Sequence, residues 1–328
     1  MVEISILPWD QVDIHELAEV GRSAFYASRG RQVMGITVEG FERWLTSLKY
    51  DEPPQCIQVR SSGRLAGWLM LFIHDSTRIE INPQLLGGHP LVPPQGEAGE
   101  VLVSLLRKAK EYVSETGYTR LEMRYGRSGE HERYHEFFRS HYEAEGFTYI
   151  TETAHMELRV KGLEVEVTPL PSEYEFKPLF DFDADTLFKL YSDVFYTSQV
   201  SRFFTQSQEE RLAYFKGEFN RKLKYNKDTT LALQKGEQLI GFSLVRPTLG
   251  GRNCHLSLLG VHPDFRRQGL GKGLLQLILS RSSEQRIRDM SLSCEPNNTP
   301  AFNLFTSHGF KEEHREKEYF WSPRSGSS

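Results

Sequence analysis

Residues 264–273 read DFRRQGLGKG, directly after the apolar run CHLSLLGV (254–261) and directly before LLQLILS. Three glycines fall within five residues. Gly costs backbone entropy in any regular element, so such a cluster marks backbone that must come close to something. The apolar run has the character of a buried strand, and His262-Pro263-Asp264 ends it because Pro cannot continue a ladder. A helical pattern follows the loop. Strand, loop and helix in this order place free backbone N–H groups at a helix start, where aligned peptide dipoles favour an anion, above all a phosphate. Gly269 and Gly271 remove Cβ atoms that would hold phosphate oxygens away from the amides. Arg266, Arg267 and Lys272 add positive charge. A Walker A loop needs Gly five residues before the Gly-Lys pair and Ser or Thr after it; here Arg266 and Gly273 hold those places. The dinucleotide pattern GxGxxG fails as well, because Gly269-Leu270-Gly271 is followed by Gly273 and then Leu274. What remains is R-x-x-G-x-G, on Arg266, Gly269 and Gly271.

The wider run LLGVHPDFRRQGLGKGLL resembles the acyl-CoA signature of the GNAT superfamily of N-acetyltransferases. A second signature of that family follows at its expected distance: Asn298, Ala301, Leu304 and Phe305, closing with Gly309-Phe310. Together the two cover about residues 256–310, and the strand pattern extends the likeness over roughly 174–321. The resemblance implies a mixed, mostly antiparallel sheet flanked by helices, splayed beside its fourth strand to leave a wedge for pantetheine. By position, the main chain of Leu259 and Val261 would pair with the pantetheine amides. The amides of Arg267, Gln268, Gly269, Leu270, Gly271 and Lys272 would hold the pyrophosphate of acetyl-CoA, and Asn298 would touch the cofactor from the last helix. The implied reaction is direct attack of an amine on the acetyl thioester, with a backbone N–H near Gly260 or Val261 as oxyanion donor. The family's usual acid is a Tyr at the position of Phe305, whose ring has no proton to give. A thiol pKa of about 8.5 lets a thiolate leave unaided, though less readily. Candidates to take the amine proton are His255 on the fourth strand and Glu295 just past the fifth. No metal is expected. Cys294 would be a nucleophile only in a ping-pong scheme, and a buried structural thiol is the simpler reading.

The chain has 328 residues, about twice the common domain size, so two domains are expected. A net charge of -4 argues against a general nucleic-acid binder. The start, MVEISILPWDQ, has neither the basic stretch nor the apolar run of a signal peptide, and no run approaches a membrane span. Three cysteines without metal spacing, Cys56, Cys254 and Cys294, suit a reduced cytoplasmic chain.

The plan repeats. Each half closes a helical pattern with Gly-Phe, at Phe147 and at Phe310, and Gly there is the usual left-handed helix stop. A strand-like run precedes each of these helices (119–125 and 289–295), and a longer amphipathic helix precedes each strand (101–114 and 271–283). Before those lie CIQVRSSGRLAGWLMLFI and TTLALQKGEQLIGFSLV, each a hairpin around a Gly turn. Helices open the halves at 14–28 and 183–196. The segment KGLEVEVTPLPSEYE, with Pro169 and Pro171, is the expected seam. The expectation is therefore an α/β chain of two tandem GNAT-like domains, 1–163 and 164–328. The layout is similar to that of mycothiol synthases.

Counting back from the fifth strand of the first half places GEAGEV (96–101) opposite Arg266 to Gly271. Gly99 survives, the arginines are gone, and Glu97 and Glu100 would repel a pyrophosphate, so the first half is expected not to hold CoA in this way. Tyr142 takes the place of Phe305 and reads as a packed aromatic. The same half contains His131-Glu132-Arg133-Tyr134-His135, an HExxH pattern with His141 six residues on. Two histidines at i and i+4 share a helix face and could hold zinc, with Glu132 as base. Phe138 replaces the Gly such motifs use to turn toward a third ligand, and the flanks are polar, so helix-surface histidines over a Tyr134/Phe138/Tyr142 stripe are preferred. The run RKLKYNK (221–227) could steer an acidic substrate, or is simply solvated. The leading function is acetyl transfer from acetyl-CoA to an amine of a small molecule or peptide, with the amine unidentified. A non-catalytic acyl-CoA-binding or regulatory protein is the alternative, and a zinc metalloprotease the remote one.

Overall fold

A computed structural model describes residues 2–29, 36–48, 52–73, 75–82, 90–93, 96–125, 132–196, 201–248 and 252–323. In chain order the elements of the first half are β1 (Val2–Pro8), α1 (Ile14–Arg29), α2 (Val38–Ser47), β2 (Gln55–Ser61), β3 (Arg64–Ile73), β4 (Arg78–Ile81), α3 (Ala98–Thr116), β5 (Arg120–Tyr125), α4 (Glu132–Ala144) and β6 (Thr148–Arg159). The second half has β7 (Tyr174–Pro178), α5 (Ala184–Tyr196), α6 (Ser201–Phe204), α7 (Gln208–Glu218), β8 (Leu231–Lys235), β9 (Gln238–Pro247) and β10 (Asn253–Val261). It ends with α8 (Leu270–Glu284), β11 (Asp289–Cys294), α9 (Thr299–Ser307) and β12 (Lys311–Trp321).

The chain divides into two compact units, 1–151 with 316–328, and 152–315. In the first, strands run in the order β1-β2-β3-β4-β5, and residues 317–321 of β12 pair antiparallel with β5. In the second the order is β7-β8-β9-β10-β11, and residues 154–159 of β6 pair antiparallel with β11. Within each unit these pairings are antiparallel except for one parallel pair, β4 with β5 in the first and β10 with β11 in the second. The expected division at residue 163 lets each half keep its own last strand. The compact units have their boundaries inside β6 and β12, where residues 154–159 of β6 pair with β11 and residues 317–321 of β12 pair with β5.

Sequence period explains the cores. In α3, Val101, Leu102, Leu105, Leu106, Ala109 and Val113 recur at helical spacing and are buried, and Gly117 at φ 82° stops the helix. In the second unit one cluster joins α8 to Cys254, Leu256, Met290 and Leu292, and another joins α5 and α7 to Phe242, Leu244 and Leu258. Ser207 and Glu210 close a capping box on α7. The parallel pair of the first unit also carries buried ion pairs, Arg78 with Asp75 and Glu122, and Arg120 with Glu122. Among the described residues no helix is long and apolar enough to cross a membrane.

Candidate active site

The site begins where two strands part. β10 pairs with β9 from Cys254 to Val261, but with β11 only from Asn253↔Asp289 to Leu256↔Leu292. From Leu258 onward β10 keeps a strand neighbour on one side, and the sheet opens on the other. The register with β9 slips between Leu256 and Leu258, the mark of a bulge at Ser257. The slip changes faces: Cys254 and Leu256 pack with α8, whereas Leu258 packs with α5. It brings Gly260 under α5, where a Cβ would lie 2.5 Å from Val194 Cγ1. Leu259 and Val261 both lie in the parted stretch.

Beyond it a 3-10 turn at Pro263–Phe265 leads to the glycine loop. Arg266 is tied down by the protein itself: Nε donates to the Val261 carbonyl at 3.1 Å and Nη2 to the Val194 carbonyl at 2.8 Å. Burial lowers its pKa from the usual guanidinium range. Its charge therefore fastens the loop to β10 and α5, a role the spacing R-x-x-G-x-G does not reveal. Arg267 is left-handed at φ 61°, and Gly269, the N-cap of α8, at φ 79°. No side chain caps α8, and the Gly273 N–H makes its first bond back, to the Gly269 carbonyl at 2.9 Å. The amides of Leu270, Gly271 and Lys272 thus head the helix without an acceptor in it.

The three glycines have separate reasons. Gly269 supplies the left-handed turn. A Cβ on Gly271 would meet Val261 and Leu304 at 3.8 and 3.9 Å, ordinary contact distances, so packing does not demand a glycine there. A Cβ on Gly273 would come 2.8 Å from Leu170 Cδ2, so this glycine serves the segment between the halves. Asn298 stands at the N-cap of α9 without making a cap bond through its side chain. Leu304, the α9 residue near Gly271, shows that this helix borders the start of α8.

The two candidate bases lie apart along the strands. His255 is half-buried on the paired part of β10, its Nδ1 3.0 Å from Ser291 Oγ. Burial first, then the charges of His155 and Arg246, push its pKa down to about 4, so the imidazole is neutral at physiological pH. Glu295 is buried just beyond the end of β11. The thiols of Cys254 and Cys294 are buried and pushed up to about 12, which suits structure and not nucleophilic attack. Phe305 is buried in the core, its ring 5.8 Å edge-on from Phe310.

Residues 185–310 match the acetyltransferase (GNAT) family model. Over these residues the chain resembles the GNAT superfamily. It is 26% identical over 105 residues to the [ribosomal protein bS18]-alanine N-acetyltransferase of Escherichia coli K12, covering 28% of this chain and 69% of that one. It is 30% identical over 141 residues to the serotonin N-acetyltransferase of Mesocricetus auratus, covering 40% of this chain and 66% of that one. Two solved structures share the fold over nearly the whole length. A GCN5-related N-acetyltransferase from Sphaerobacter thermophilus superposes with a TM-score of 0.63 at 14% identity, covering 97% of this chain and 95% of the other. A tandem GNAT protein from the clavulanic acid biosynthesis pathway gives 0.59 at 17% identity, with 98% of each chain covered.

Among the described residues of the first unit, the ground around the start of α3 is closely packed. This helix starts at Ala98 behind Glu97. A Cβ on Gly99 would lie 2.9 Å from Nε2 of His141, whose Nδ1 is 2.6 Å from the Phe137 carbonyl. Trp68 of β3 exchanges backbone bonds with Leu91 at 3.1 and 2.8 Å, and a Cβ on Gly67 would strike Val101 at 2.7 Å and Val92 at 3.0 Å. The unit's own side chains fill this ground. The side chains of the HExxH residues 131–135 lie outside the described residues. His141, the third candidate ligand, is packed between α4 and α3. The run 221–227 is a turn segment, in which Arg221 donates to the Phe182 carbonyl at 2.7 Å and lies over Phe180.

Proposed function

We propose that the second unit takes acetyl-CoA as its acyl donor and transfers the acetyl group directly to an amine. Acyl transfer to amines is the chemistry of the family. The choice of donor rests on one observation: the parting of β10 from β11 after Leu256 runs straight into an uncapped helix start at which Gly271 has no packing reason to be glycine. Pantetheine fits the parted main chain at Leu259 and Val261. The pyrophosphate meets the amides from Arg267 to Lys272, and Asn298 adds a polar contact from α9. The amine nitrogen attacks the thioester carbon, and a backbone N–H near Gly260 or Val261 holds the developing oxyanion. The carbon–sulfur bond then breaks, and CoA leaves as a thiolate. The amine proton passes to His255, with Glu295 as the other candidate. The first unit supplies no second donor site. A cytoplasmic setting belongs to this proposal and is supported by three buried free thiols.

Phe305 favours one competing reading. A core phenyl ring at the acid position suits a protein that binds acyl-CoA and does not turn it over. Thiol release from acetyl-CoA, followed across a panel of aryl, alkyl and peptide α-amines, decides between them. Release that depends on one amine class is expected. Acetyl-CoA binding with no release on any amine would establish the non-catalytic reading.

A further inference from the structure

The segment LEVEVTPLP that joins the halves does more than connect them. Residues 163–174 run along α8 in the opposite direction, touching it at three levels and the loop before it at a fourth. The Leu163 carbonyl accepts from Ser283 Oγ at 3.0 Å, and the Thr168 N–H donates to Oε1 of the buried Gln276 at 3.2 Å. Leu170 occupies the space that Gly273 leaves. Tyr174 OH then donates to Gln268 Oε1 at 2.9 Å, inside the glycine loop. Over 163–167 alternate residues face inward, with Leu163 and Val165 packed on the α8 core, and further on Leu170 and Tyr174 pack on the cluster that contains Leu270. Glu164 and Glu166 face out. Pro169 and Pro171 stiffen the stretch by fixing φ.

Gln268 is where support matters. It stands between Arg267 at φ 61° and Gly269 at φ 79°. A left-handed non-glycine residue persists only when its surroundings hold it there. We infer that residues 163–174 act as a strap that preorganises the pyrophosphate loop, with Tyr174 and Leu170 as positioning residues acting through Gln268 and Gly273. This inference rests on the reading of the loop as a pyrophosphate site. Its consequence is that donor affinity is set partly by a segment outside the signature motifs. A strapped loop does not have to order itself when the ligand binds.

The test compares acetyl-CoA with S-acetylpantetheine, which lacks the pyrophosphate, by titration of the full-length protein. Tyr174→Phe removes one hydroxyl and is expected to weaken acetyl-CoA binding about threefold to tenfold, the range of one hydrogen bond. S-acetylpantetheine affinity and Tm are expected to stay at wild-type values. Gly273→Ala, which pushes Leu170 off the helix, is expected to weaken acetyl-CoA in the same selective way, and adding Leu170→Ala to recover part of the loss. Unchanged acetyl-CoA affinity in both single variants, or equal weakening of the two ligands, would overturn the strap. Wild-type protein that binds both ligands equally would instead overturn the pyrophosphate reading, and the strap with it.

Discussion

A methyl group has different consequences at Gly269 and at Gly271, although both head the same helix. At Gly269 the backbone is left-handed, so Gly269→Ala is expected to lower stability by roughly 1 kcal/mol, seen as a lower Tm. At Gly271 the methyl meets only ordinary contacts. Gly271→Ala is therefore expected to leave Tm unchanged or slightly raised while weakening acetyl-CoA binding. A fall in Tm without loss of affinity would assign this glycine to packing. His255 makes a pH-dependent case. Its pKa of about 4 in the folded chain stands against 6.5 for an ordinary histidine. Between those values the unfolded state binds the extra proton, so this stability is complete above about pH 6.5 and is lost as pH falls toward about 4. His255→Gln should lose less Tm than wild type between about pH 7 and 5, and equal losses would show that the imidazole is not held neutral. In catalysis a base that stays neutral leaves the acceptor ammonium as the titrating group. The expected kcat/KM therefore rises with pH toward the amine's own pKa, without an inflection near 6.5.

At the level of elements, the parts with a strong period were readable. The helices at 14–28, 101–114, 183–196 and 271–283 and both hairpins correspond to α1, α3, α5, α8, β2–β3 and β8–β9. The edge strands β1 and β7 were not, because neither has a buried residue to impose alternation. The bulge at Ser257 was hidden for the opposite reason: in CHLSLLGV apolar residues fall on both faces, so a slip of one position leaves no trace in the pattern. That slip seats Gly260 beneath Val194 and so fixes how closely α5 approaches the parted strand. Gly260→Ala is expected to cost about 1–3 kcal/mol by overpacking, and a second change, Val194→Ala, to recover part of it. Chemical denaturation of the three variants measures this. Full additivity of the two single changes would mean that the contact does not set the packing.

For the whole molecule, the sequence showed the repeat and the imbalance between its copies but not the exchange of strand ends. Pro169 and Pro171 mark where the chain cannot extend a ladder. They say nothing about which strand a long strand pairs with, and that is decided by hydrogen-bond partners remote in sequence, such as Phe320 opposite Glu122 and Leu158 opposite Met290. The glycine loop was legible because its chemistry is local. The roles of Arg266, Ser291, Leu170 and Tyr174 were not, because each depends on a partner 5 to 103 positions away that no local pattern names. The central claim is that only the second copy of the repeated plan holds acetyl-CoA. Calorimetric titration of the full-length chain with acetyl-CoA tests it directly, alongside Gly271→Glu and Glu97→Gln. One site per chain is expected, lost in Gly271→Glu and unchanged in Glu97→Gln. Two sites per chain, or equal loss in both variants, would contradict the claim.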